Sequence, residues 1–123
     1  MEDDDLQERL RTVLKGCARN GETIAYLELA HAGGMQPPHL VHRVTEALEE
    51  MVRADHAAGR PLLAAMATRK DGLIPGRGFF WLLNELGRYE GPPEGDEAIA
   101  HYRTLLAEAI AYWSADSAGG HAG

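Results

Sequence analysis

The residues in this sequence that could carry chemistry are few and far apart. His39 and His42 stand three apart, so on a helix they would share a face, and metal binding is the chemistry such a pair suggests. Zinc takes three or four ligands, whereas His31, His56, His101 and His121 are scattered. The pair therefore reads as two exposed histidines at a helix start, and no metal is expected. Cys17 is the single cysteine and falls at an apolar helical position, where a small buried thiol is the usual role. No Ser-His-Asp or Cys-His pattern accompanies it. Gly76-Arg77-Gly78 has neither the G-x-x-x-x-G-K-[ST] spacing of a phosphate loop nor that of a dinucleotide fold. The sequence thus implies no catalysis and no cofactor. Two groups of polar side chains remain: Gln36, His39, His42 and Arg43, then Arg69, Lys70 and Arg77. Gln and Arg read base edges, and basic side chains meet phosphates. Together they suit double-stranded DNA.

The charge is sorted along the chain. The net charge of -7 opposes indiscriminate nucleic-acid binding. Five of the 19 acids precede the first base, Arg9, and from there 14 acids face 12 bases. Between Arg60 and Gly78 the balance reverses, with Arg60, Arg69, Lys70 and Arg77 against Asp71. One cysteine excludes an internal disulfide and suits a reducing cytoplasm. The chain opens Met1-Glu2-Asp3-Asp4-Asp5, without the apolar segment of a leader, and no apolar run is long enough for a membrane span. Its 123 residues suggest a single domain, 1–116, with a flexible Gly-rich tail, 117–123.

The elements that must position these side chains follow from periodicity. Leu6, Leu10, Val13, Leu14 and Cys17 form one stripe and predict a helix from about Asp4 to Asn20-Gly21. Thr23-Ile24 reads as extended. A short helix is expected from Ala25 to Ala32, stopped by Gly33-Gly34. Met35-Gln36-Pro37-Pro38 forms a turn, with Pro38 at the first position of the next helix. That helix carries Leu40, Val41, Val44, Leu48, Met51 and Val52, and Gly59-Arg60-Pro61 breaks it. The apolar run from Pro61 to Thr68 fits a buried strand or a helix fragment. Its flanks favour a strand entering a hairpin through Arg69-Lys70-Asp71-Gly72, with Leu73-Ile74-Pro75 returning as an edge. Phe79 to Leu86 and Asp96 onward read as helices. Phe79, Phe80 and Trp81 are expected in the core, as are Ile99, Tyr102, Leu106, Ala109, Ile110 and Trp113.

This order implies an α+β winged helix-turn-helix with an additional C-terminal helix. The helix over 39–54 would enter the major groove, and the 69–77 wing would lie on phosphates. Thr23-Ile24-Ala25-Tyr26-Leu27-Glu28-Leu29-Ala30 resembles the T-x-x-Y-x-E-[IL]-A segment that opens the helix-turn-helix of alkyltransferase and alkyltransferase-like DNA-repair proteins, a likeness spanning about residues 23–52. That resemblance implies DNA binding by a regulator or a repair-like accessory factor. Alkyl transfer does not follow from it. The family's Pro-Cys-His-Arg motif is echoed only by Pro38-His39-Leu40-Val41-His42-Arg43-Val44, which holds no cysteine. Aligning Val44 with the family's valine puts His42 where those proteins carry the arginine that helps extrude a base, so base flipping does not follow either. Pro61-Leu62-Leu63 through Gly76-Arg77-Gly78-Phe79-Phe80, with Trp113, is also similar to small bacterial proteins that carry no assigned activity. The alternative reading is a winged-helix protein-interaction module, either an adaptor or a homodimer, with Tyr102, Tyr112 and Trp113 available for a seam.

Overall fold

The computed structural model describes residues 2–70 and 73–119. In chain order it contains α1 (Glu2–Asn20), β1 (Ile24–Ala25), α2 (Tyr26–Ala32), α3 (Leu40–Ala57), a 3-10 turn (Leu63–Met66), β2 (Ala67–Thr68), α4 (Arg77–Glu85) and α5 (Asp96–Gly119). The architecture is mostly helical with a small two-stranded parallel sheet.

The helical stripes bury as apolar faces should. Leu10, Leu14 and Ala18 of α1 are buried, with Leu6, Val13 and Cys17 packed at the edge of the core. Burial raises the Cys17 thiol above its ordinary range, and Glu22 adds to the effect. Gly21, at φ +66°, ends α1 in the left-handed conformation that glycine adopts without strain. A Cβ at Gly33 would stand 2.7 Å from Leu10 Cδ2, so the end of α2 rests directly on α1.

Two expectations about the turn and the start of α3 are corrected. Helix α3 begins at Leu40, and Pro38 lies outside it. His39 caps it in a left-handed conformation, φ 58° and ψ 41°. Arg43 does not present its guanidinium to solvent alone. Nη1 donates to the carbonyls of Gln36 at 2.6 Å and Pro38 at 3.1 Å, and so fastens the turn to the first helical turn.

The hairpin is also corrected. Leu63–Met66 is a 3-10 turn, and Ala67–Thr68 pairs in parallel with β1, in the register Ile24 to Ala67 and Ala25 to Thr68. Parallel pairing demands a long crossover, which α2 and α3 supply. The chain does fold back after β2, since the Arg69 N–H donates to the Ile74 carbonyl at 3.0 Å. That contact closes a loop, and neither Leu73 nor Ile74 lies in a strand. Asp71 and Gly72, at the expected wing tip, lie outside the described residues.

Helix α5 covers the 3-10 segment. The Tyr102 hydroxyl donates to the Ala65 carbonyl at 2.8 Å, and Trp113 Nε1–H donates to the Pro61 carbonyl at 2.9 Å. The buried face of α5 is Ala98, Tyr102, Leu105, Ala109 and Trp113, with Ile99, Leu106 and Ile110 at its margin. The helix continues through Ser117 and Ala118 to Gly119, inside the span expected to be tail, and 120–123 lie outside the described residues. In α4, Phe79 and Phe80 are buried edge to face, 5.4 Å between centroids. Trp81, expected in the core with them, is 59% exposed.

Burial pushes the Tyr102 phenol well above its usual value of 10.0. Above pH 10 the unfolded chain releases that proton while the folded chain keeps it. The unfolded state then binds fewer protons, so stability falls as pH rises. The contribution is whole below the unfolded value and is lost as pH climbs toward the raised folded one. Urea midpoints followed from about pH 8 to about pH 11 should be flat at first and then decline, and the decline should be shallower in Tyr102→Phe.

Candidate functional site

Helices α2 and α3 pack against each other across the turn at 33–39. Gln36, His39 and His42 are all exposed there. His42 Nε2 lies 3.5 Å from the Glu46 carboxylate, one turn along α3. Arg43 is also exposed, but its hydrogen bonds are made to the turn. The outer surface of α3 also carries the acids Glu46, Glu49 and Glu50, and the base Arg53, which pairs with Glu85.

A groove of about 660 Å³ opens where α2, α3 and the loop after β2 meet. Tyr26, Leu27 and Glu28 line it from α2, Val41 and Thr45 from α3, and Arg69 and Lys70 from the loop. This brings the expected basic pair Arg69 and Lys70 beside the first turns of α3. It also brings together Val41, expected on the apolar stripe of α3, and Leu27 of α2, which are 46% and 47% exposed.

Tyr26 joins this groove to a smaller cleft of about 150 Å³, bounded by Thr45, Glu49, Gly76, Gly78 and Phe79 among others. The Gly76 N–H donates to the Tyr26 hydroxyl at 2.7 Å, tying the exit of the loop to α2. Burial raises the Tyr26 phenol above its usual value, with the Gly76 amide and Arg69 acting in the opposite direction.

Arg77 occupies a different place. It is the first residue of α4, is ion-paired with Glu94, and is not among the residues lining the groove. The 69–77 stretch expected as one wing is therefore divided between a loop and a helix start.

Among the described residues, no group of three or more His, Cys, Asp or Glu is placed to hold a metal ion. No helix of the described residues is long and apolar enough to cross a membrane. No family model matches the chain, and no curated protein or solved structure matches it significantly.

Proposed function

We propose that this chain is a non-catalytic DNA-binding protein of winged-helix type, a regulator or repair-like accessory factor, in which the loop beginning at Arg69 takes the part of the wing. The supporting observation is the shared groove: Val41 and Thr45 of α3 and the bases Arg69 and Lys70 line one cavity. A duplex receiving α3 in its major groove would carry its phosphates past that loop. Base-edge contacts would fall to Gln36, His39, His42 and Arg43, the last an exposed side chain whose Nη1 also holds the turn.

The test is a mobility-shift titration of a mixed-sequence duplex over a range of salt. Binding should weaken steeply with salt, because phosphate contacts release counterions. The double variant Arg69→Ala, Lys70→Ala should bind all sequences more weakly, with a log-log salt slope shallower by about 2. Gln36→Ala should instead relax sequence preference. Parent-like affinity and slope in the double variant would show that the loop does not touch DNA.

A protein-interaction module is the second reading, and the exposed Leu73 and Trp81, 68% and 59% accessible, support it. Absence of any duplex shift at low salt would favour it over DNA.

A further inference from the structure

Leu27 and Val41 face solvent in the groove between α2 and α3, an arrangement that leaves apolar surface in water. Thr45 extends the same wall, and its hydroxyl donates to the His42 carbonyl at 2.8 Å, so its proton is already committed within α3. Leu27 and Val41 themselves offer neither donor nor acceptor to a base edge laid between them, while the other polar groups of the lining belong to Tyr26, Glu28, Arg69 and Lys70. A polar base edge pressed there would lose its water without replacement, which is costly. The one apolar group displayed on the major-groove edge of a base pair is the C5-methyl of a pyrimidine. Arg69 and Lys70 on the rim complement phosphate charge, and Glu28 is the opposing acid.

We propose that this protein selects duplex DNA by the C5-methyl groups of pyrimidines, received between Leu27 and Val41. The proposal rests on the DNA-binding reading above and names the feature of DNA that the groove recognises. Thymine and 5-methylcytosine both present this methyl group.

Fluorescence anisotropy on duplexes of one sequence tests it, comparing thymine with uracil and cytosine with 5-methylcytosine. Replacing thymine by uracil should weaken binding about fourfold for each methyl lost from the contact, the factor expected for one buried methyl group. The salt slope should not change. A loss with uracil assigns thymine, and a gain with 5-methylcytosine assigns the methylated base. Val41→Thr keeps the side-chain shape but exchanges a methyl for a hydroxyl, and it should shrink the difference while leaving the salt slope intact. Leu27→Ala should do the same. Equal affinity for methylated and unmethylated duplexes, with steep salt dependence retained, overturns methyl selection and leaves DNA binding standing. A methyl preference that both variants keep in full overturns the assignment to this groove. No binding to any duplex at low salt overturns both proposals together.

Discussion

A chain carrying Asp55→Ala should unfold at a lower urea concentration than the parent, with a loss of about 3 to 5 kcal/mol, the range for breaking a buried ion pair. Asp55 sits on α3 with no solvent exposure. Its Oδ1 accepts from Arg11 Nη2 at 3.0 Å and from Arg60 Nη2 at 2.9 Å, and its Oδ2 accepts from the Leu63 N–H at 3.3 Å. One carboxylate thus ties α1, α3 and the start of the 3-10 segment together. Alanine would leave two cations and an amide without their acceptor. The Arg11 and Arg60 side chains keep 16% and 39% exposure, so water can reach them in part, which puts the loss toward the lower end of the range. A midpoint within about 0.5 kcal/mol of the parent, the spread of an ordinary surface substitution, would show that this network contributes nothing net.

Trp113→Ala should cost about as much, roughly 3 to 5 kcal/mol, as expected when a large aromatic is removed from a core. The indole is buried on α5, its Nε1–H reaches the Pro61 carbonyl, and Lys15, Arg60 and Arg11 stand 5.4, 5.6 and 5.8 Å from its ring. Trp113→Phe keeps most of the apolar contact and gives up the hydrogen bond, so it should cost about 1 kcal/mol plus a small packing loss. Arg11 and Arg60 contact both Asp55 and Trp113. The double alanine variant should therefore depart from additivity by about 0.5 to 3 kcal/mol, a coupling that denaturation of all four chains would measure.

The helices were legible in the sequence because their burial is one-sided. The stripes through Leu10 and Leu14, and through Val44, Leu48 and Met51, face the core as their spacing predicts. The run from Leu62 to Thr68 was not legible in the same way, because every residue in it is buried. With no solvent face there is no alternation to separate strand from 3-10 turn. Stripe edges misled for a related reason. Leu27, Val41 and Trp81 are apolar helix residues that remain 47%, 46% and 59% exposed, because coverage is a tertiary property. The hydrogen bonds of Arg43 Nη1 to the turn were not legible either, because residue type does not disclose which carbonyls lie within reach. Asp55 did leave a trace: it falls four residues after Met51, on the inward face of α3, where an acid must find partners.

The parallel pairing of Ile24-Ala25 with Ala67-Thr68 makes a clasp whose two halves lie on either side of the whole α2–α3 unit. A truncation ending after α3 would remove one half of that clasp together with the buried segment that packs on α3. The smallest excisable version of the helix pair must therefore run past Thr68. Because Tyr102 and Trp113 hold that segment down, it must reach into α5 as well. Expressed without those later segments, the α2–α3 pair should be insoluble.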